Sequence, residues 1–474
     1  MGETLSLFTT TFNRSLSVEA RREHLSSDAG AVLLREILEH CGLIEHLTAK
    51  LTDPRDPMLV THSLADLLRT SLILIGQGWR DQSDADTLRE DPALRLAVCG
   101  DRGGTPLEED RHLPSQPTLS RLLDTLSGEA NRQVLREALL EMAGRRLRAE
   151  RRGHRPHRLT IDVDSLPIEV HGHQPNSAWN GHYHQRMYHP IIAAVAETGD
   201  LVDARLRPGN AHTAAGALDF VLDLVDRAKK TLCRVAMVRF DAGFPEERVL
   251  AGLEGRRIAW VARLRNNPAL DRAAAPFLKR PRGRPPVEPR LWFHEMDWKA
   301  GAWSRSRRVV LVVLERPGEL LLDHFFLVTS IAADVMPAAD LLEHYRRRGA
   351  AEGLFGELMD TLAPILSSAP RTRFVKKGKR KIPGVPTGID AFARNEVLLI
   401  LNMLAYEVLH TGRRVMEIVT GIGWSLRRFR ETVLKVGAHF VLHARRITMI
   451  VAQSASKAWS ELWPKLHRLA WSGP

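Results

Sequence analysis

The feature that most constrains this chain is a change of hydrophobic period near residue 159. Before it, apolar residues recur at helical spacing: Val32, Leu33, Ile37, Leu38, Leu43, Ile44 and Leu47 form one stripe over 28–50, and the pattern returns over 62–79. Shorter helices are predicted at "DADTLREDPALRLAV" and "SQPTLSRLLDTL", where Ser115 or Thr118 can cap and Pro117 suits a first turn. After residue 159 the period becomes that of strands, in "LTIDVDSLPIEV", "HPIIAAVAE" and "LVDARLR". A helix over about 213–230 then precedes "RVAMVRFD" and "RIAWVARL". Hairpin-linked strands followed by strand–helix alternation predict a mixed α/β sheet and exclude an all-parallel one.

Three strands, a helix and a fourth strand form an RNase-H-like order. The predicted organisation is a helical module over 1–155, an RNase-H-like core over 156–268 and 323–410, a β-rich insertion over 269–322, and a helical C-terminal region over 411–474. The insertion opens Pro- and Arg-rich and then reads as strand at "RRVVLVVLER". The run "RTRFVKKGKRK", 371–381, is predicted as a basic loop. The last two helices are expected at "ARNEVLLILNMLAYEVLH" and "SLRRFRETVLKVGAHFVLHARRITMIV".

Charge narrows the partners. With 68 Lys+Arg against 56 Asp+Glu the chain carries +12, which points to a polyanion, nucleic acid first, although an arginine-rich composition alone produces the same excess. Cys41, Cys99 and Cys233 are far apart, which excludes a disulfide framework and a cysteine zinc site and suits a reducing compartment. "MGETLSLF" matches the myristoylation pattern, but nothing else supports a lipid anchor. No apolar run reaches the roughly 18–20 residues of a membrane span and no signal-peptide core is present, so the expected location is the cytoplasm.

The chemistry lies in four acids. Asp162 and Asp164 are two apart on the first predicted strand and face the same side, where a carboxylate is costly without a partner. Asp241 ends another strand, before Ala242 and Gly243. Glu352, alone, reads as the i,i+4 partner of Arg348, worth about 0.3–0.5 kcal/mol on an exposed helix. Together the acids have the composition of a two-cation phosphodiester site, in which hard oxygen ligands hold two divalent ions about 4 Å apart. His171, His173, His182, His184 and His189 could suggest zinc, but they fit polar hairpin residues better.

Tyr345, Arg348 and Glu352 spell Y-x2-R-x3-E, and with Asp164 and Asp241 upstream the chain resembles the DDE transposases of bacterial insertion sequences that carry a β-strand insertion before the last acid. It is most similar to their thirteen-eighty subgroup through "DADTLREDPALRLAV", "SQPTLSRL", "RLRPGNAHTAAGAL", "FDAGF" and "LKVGAHFVLHARR". The resemblance implies an RNase-H-like catalytic core and cut-and-paste DNA transposition at inverted-repeat ends. Its cofactor would be two Mg2+ ions, with Mn2+ as substitute, and its assembly a homodimer on paired ends of double-stranded DNA at the nucleoid. Asp164, Asp241 and Glu352 would be the metal ligands and catalytic acids, with Asp162 as the alternative first aspartate and Tyr345 and Arg348 in support. One position departs from the pattern: Met359 stands where a Lys or Arg is expected seven residues after the glutamate.

Candidate DNA contacts are Arg151 and Arg152, Arg282 and Arg284, and Lys376, Lys377, Lys379 and Arg380. "KRPRGRPP", 279–286, fits a Pro-rich linker or an Arg-Gly-Arg-Pro element in a narrow minor groove. Trp292, Trp298 and Trp303 are strand core by default and candidates for stacking on an unpaired base. Two other readings remain: a transposase-derived protein that holds DNA without cutting it, and a nuclease of the same fold without strand transfer.

Overall fold

The computed structural model describes residues 8–13, 15–18, 23–100, 107, 111–150, 158–172, 174–284, 286–368, 372–377, 380–386, 390–444 and 446–468. Its centre is an eight-stranded sheet: β1 (Arg158–Ser165), β2 (Ile191–Val195), β3 (Leu201–Arg205), β4 (Arg234–Phe240), β5 (Ala259–Leu264), β6 (Arg290–Trp298), β7 (Arg307–Glu315) and β8 (Asp323–Thr329). The spatial order is β6-β7-β8-β5-β4-β1-β2-β3. β1, β2 and β3 are antiparallel neighbours, whereas β4 runs parallel to β1 and β5 parallel to β4. This is the mixed, RNase-H-like order expected from the sequence.

The sheet continues through β8, just after the expected insertion, into β7 and β6 within it. β8 pairs antiparallel with β5, and β7 and β6 follow outward. Residues alternate across the strands. Leu159, Ile161 and Val163 of β1 therefore join the apolar layer under the helices Ala217–Thr231 and Glu247–Gly255, while Thr160, Asp162 and Asp164 face the other way.

The helices of that second face come from both ends of the chain. They are α1 (Gly30–Cys41), α2 (Leu64–Gln77), α3 (Glu129–Glu150), α6 (Ala338–Arg346), α7 (Gly349–Glu357), α8 (Ala391–Thr420) and α9 (Gln453–Arg468), with α4 and α5 the two on the first face. α8 is apolar almost all round, the pattern of a buried helix, and its 30 residues span roughly 45 Å. Asp390 caps its start by accepting from the Ala393 N–H at 3.0 Å, and Gly421 closes it at φ 69°. One hydrophobic cluster runs from Ala29 to Leu466 around α8, uniting the N- and C-terminal helices.

Four local expectations are corrected. The stripe over 28–50 is two helices, because Gly42 turns left-handed at φ 59° and starts Leu43–Lys50 anew. The predicted helix over 425–451 is a short helical stretch followed by a hairpin, Ala438–His443 with Arg446–Val451, joined to Leu25–Ser26. Its β-branched "RITMIV" alternates exposed and half-buried positions, a strand pattern that the helical reading overlooked. The basic run predicted as a loop contributes to an antiparallel pair, Thr372–Lys377 with Arg380–Pro386. The helix holding Glu352 is two helices: the chain bends at Arg347 and Arg348, and tight bonds from Ala350 N–H to Arg347 O and from Ala351 N–H to Arg348 O start α7.

Candidate active site

The site forms where the second face of β1 meets the α6–α7 bend. Asp162 and Arg239 sit opposite each other in the β1–β4 register, and Arg239 binds Asp162 with two 2.6 Å hydrogen bonds, Nε to Oδ1 and Nη2 to Oδ2. Both are almost fully buried. Arg239 also donates from Nη1 to the His344 carbonyl, tying β4 to α6. Asp162 is thus committed to a bidentate pair.

Asp164 is two residues on, at the strand end. Its Oδ1 accepts from the Ser165 N–H at 2.8 Å and its Oδ2 from Arg348 Nη2 at 2.6 Å. The same guanidinium donates from Nη1 to Glu352 Oε1 at 2.5 Å. Arg348, buried just before α7 as its N-cap, therefore bridges an acid of β1 and an acid of α7. Asp241 follows β4, the parallel neighbour of β1, and its Oδ1 accepts from the Gly243 N–H at 2.8 Å. Gly243 is required there: an added Cβ would lie 2.7 Å from Thr213 Cγ2.

The electrostatics show an acid surplus. Burial and the charge of Asp241 push the Asp164 carboxyl up to about 6, against the opposing pull of Arg348. Asp164 and Asp241 repel each other, Arg348 links Asp164 to Glu352, and the ligand atoms that the three acids offer are all hard oxygens, although they are not drawn together as a preformed three-ligand cluster. The residues present therefore fit a divalent cation of the magnesium type. Glu352 is the open member, with 62% of its side chain exposed against 16% for Asp164. Tyr345, half-buried beside the third apolar cluster, is pushed up to about 12, chiefly by burial, and stays a neutral hydroxyl.

Two residues join this site that sequence reasoning did not single out. Tyr183, at the tip of the hairpin Ala178–Asn180/Gln185–Tyr188, is raised by burial and then by the charges of Asp164 and Asp241, so it lies within electrostatic reach of both. Arg207 is buried behind β1, donating to Ser165 Oγ at 2.7 Å and to the carbonyls of His189, Thr213 and Ala215, each at 2.8 Å. It braces the loop that Gly243 touches. Its signal was available, since it lies inside the block "RLRPGNAH", but no spacing rule marks it.

The helix of Glu352 is anchored from three sides. Leu341 and Leu342 of α6, which leads into it, pack on Val261, Val310, Val312 and Leu327, so β5, β7 and β8 seat its approach. Ala351 and Phe355 are buried in the first cluster, and Arg413 of α8 binds Glu357. Arg308 of β7 donates to the Ile331 and Met336 carbonyls at 2.9 Å, fixing the approach to α6.

The transposase DDE domain group 1 family model matches residues 8–364, which hold all four acids, Tyr345 and Arg348. The chain belongs to this family. DDE transposases are DNA transposases that generally work with divalent metal ions. No curated protein matches the chain. Among solved structures it is similar to a piggyBac transposase, determined by cryo-electron microscopy in a synaptic complex with hairpin DNA. The two share 12% identity over 85% of this chain and 78% of that one, with a TM-score of 0.40.

The remaining candidates lie elsewhere. Met359 falls in the π-helical turn Leu358–Leu362 and packs half-buried on the first cluster, lining a cavity of about 370 Å3 with Arg80, Ile168 and His171. The cavity also contains Glu169, and the arginine that lines it is Arg80. Arg282 and Arg284 are exposed. Lys376, Lys377 and Arg380 lie on the basic strand pair, while Arg151, Arg152, Lys379 and His173 fall outside the described residues. Trp303 is buried under Arg307, and Trp292 and Trp298 pack half-buried on the second cluster. Their strand, β6, is five places from β1, roughly 24 Å at about 4.8 Å per strand, so the sheet does not bring Trp292 or Trp298 to the acids. His171 and His182 are exposed, whereas His189 is buried with Nδ1 on the Ala211 carbonyl at 2.9 Å. Among the described residues these histidines form no ligand cluster. No helix among the described residues is long and apolar enough to cross a membrane.

Proposed function

We propose that this DDE transposase moves an insertion sequence by cut-and-paste, cleaving DNA at inverted-repeat ends and joining the freed 3′ ends to target DNA. Asp164, Asp241 and Glu352 would hold two Mg2+ ions, with Mn2+ as substitute. The observation that carries this reading is the single guanidinium of Arg348 bound to both Asp164 and Glu352, beside Asp241 on the neighbouring strand. When bound, the cations supply activation of the attacking oxygen and neutralisation of the leaving one.

The protein's own residues would do the positioning. Asp164 and Asp241 are rigid because strand ends and a backbone N–H fix one oxygen of each. Glu352, on a helix end open to solvent, would complete the set as DNA arrives, while Arg348 offsets the acid surplus and Tyr345 keeps a neutral hydroxyl nearby. Asp162, saturated by Arg239, would support the strand and leave ligation to Asp164. Arg151, Arg152, Arg282, Arg284, Lys376, Lys377, Lys379 and Arg380 would neutralise phosphates of the ends, bound as a pair by a homodimer at the nucleoid.

The test is a strand-cleavage assay on an inverted-repeat end with and without Mg2+, followed by a joining assay with target DNA. Mg2+-dependent nicking at the element boundary and joined product are expected. Binding without nicking would sink the catalytic reading, and nicking without joining would reduce the protein to a nuclease.

A further inference from the structure

We propose that Glu36, His40 and His467 form a zinc site that clasps the last helix, α9, onto the first, α1. Among the described residues, no other set of three or more His, Cys, Asp or Glu side chains brings its ligand atoms together; here all lie within 4.8 Å of one another. Glu36 and His40 are one turn apart on α1 and rise from the same face. His467 reaches them from the last turn of α9.

The spacing fits a metal. Glu36 Oε1 lies 3.1 Å from His40 Nε2 and 3.3 Å from His467 Nε2. Bonds of about 2.0–2.1 Å in a tetrahedral zinc site place neighbouring ligand atoms roughly 3.3 Å apart. The competing account is a helical His–Glu pair, in which the imidazole N–H points at the carboxylate. Here His40 Nε2 is buried and makes no hydrogen bond, although the carboxylate is beside it. A ligand's lone pair aims at the metal and not at the neighbouring ligand, which gives such a near miss. The two imidazoles stand edge to face, with centroids 4.8 Å apart and planes at 87°, so both Nε2 atoms converge on one carboxylate oxygen.

His467 is also held in advance. Its ring lies 5.9 Å from Trp463, which stacks on Trp459 at the same distance, and Trp459 Nε1 donates to the Val433 carbonyl at 3.0 Å. Leu462 and Leu466 bury the other face of α9. Two imidazoles with one carboxylate select Zn2+ over Mg2+ or Ca2+, which prefer oxygen throughout. The neighbouring Cys41 is not a ligand: it is buried, its Sγ bonds the Leu38 carbonyl, and burial pushes its thiol up to about 12. Three protein ligands and a half-exposed His467 leave a fourth position for water. The site is a clasp separate from the phosphodiester chemistry, closing the circular packing in which both chain ends wrap α8.

The experiment uses the full chain carrying Asp241→Asn, so that the acid site does not compete for metal. Co2+ titration of chelator-treated protein should give the visible absorption of tetrahedral cobalt at one equivalent, displaced by Zn2+. Zn2+ should also raise the thermal midpoint, with the logarithm of its excess over the dissociation constant. His467→Ala, in a side chain already half-exposed, should keep the fold and lose both responses, with affinity reduced more than about 100-fold, beyond the usual cost of losing only a supporting partner. Glu36→Gln should do the same. Absence of the cobalt signal, or a signal unchanged in His467→Ala and Glu36→Gln, would overturn the proposal.

Discussion

Two acid-rich places in this protein resolve their charge differently. Where β3 and the turn before it meet α3 and α8, Asp200 and Glu407 are buried side by side with Arg146, and Asp203 is bound by Arg136 through 2.6 and 2.7 Å hydrogen bonds and also by Arg227. Glu407 keeps a proton there, pushed well up by burial and by Asp200, and accepts the Leu201 N–H at 2.7 Å. Every charge has an answer, so the place is structural. At the end of β1, Asp164 and Glu352 share one arginine, and Asp164 stays raised through its burial and through the nearby charge of Asp241. Fewer cations answer the acids here than in the ion-pair network around Asp203, and perturbed carboxylates of this kind are what functional sites gather.

The comparison can be broken most severely at Asp241. Asp241→Asn should cost strand cleavage about 1,000-fold or more, corresponding to about 4 kcal/mol of transition-state stabilisation. Stability should hold or rise, because one member of a repelling set becomes neutral. Cleavage rates at saturating Mg2+, alongside urea unfolding, check both halves. Near-normal cleavage would remove Asp241 from the set, and a large loss of stability would place it with the structural acids.

Arg239→Ala should behave in the opposite way. It leaves Asp162 buried without its bidentate partner, an arrangement that costs about 3–5 kcal/mol. Unfolding free energy should fall by that amount, and the cleavage rate per folded molecule should change much less than in Asp241→Asn. A loss of cleavage with stability intact would mean that Asp162, not Asp164, is the first ligand.

This pair of aspartates also marks how far the sequence can be read. Period two placed both on one face of β1, and the cost of a buried carboxylate announced that partners were needed. Which partner each receives depends on the parallel register with β4, which sets Arg239 opposite Asp162, and on the bend that brings Arg348 to Asp164. Both are long-range facts with no local signal. The order β1 to β5 was legible because alternation and helix spacing are local. The continuation of the sheet into β8, β7 and β6 was not, since edge-to-edge pairing leaves no trace in either strand alone. Tyr183 was hidden for a similar reason: a turn residue comes within reach of the acids only through the long-range fold.

The structural place can be probed through its proton. Glu407 is raised in the folded state above its ordinary value of 4.5, so the native protein holds a proton that the unfolded chain releases. Stability is therefore full below about pH 4.5 for this group and declines as pH rises toward the folded value, by up to about 1.4 kcal/mol per unit. Glu407→Gln retains an acceptor for the Leu201 N–H and should flatten that decline in urea midpoints between pH 5 and 8. An unchanged slope would show that the proton is not held at Glu407.

The smallest effect tests how closely the hairpin tip approaches the acids. Burial and then the charges of Asp164 and Asp241 raise Tyr183 above the ordinary phenol value, so at neutral pH its hydroxyl is a donor within electrostatic reach of both acids. A neutral hydrogen bond contributes about 1 kcal/mol, which converts to roughly fivefold in rate. Tyr183→Phe should slow cleavage by about that factor, with DNA affinity at fixed salt unchanged. Tyr183→Ala should lose more, because the ring also packs edge-on against His182 and His189, at 4.8 and 5.9 Å between centroids. Equal rates for Phe and Tyr, with a deficit only in Ala, would assign the ring to shaping the hairpin and leave the acids without help from the hydroxyl.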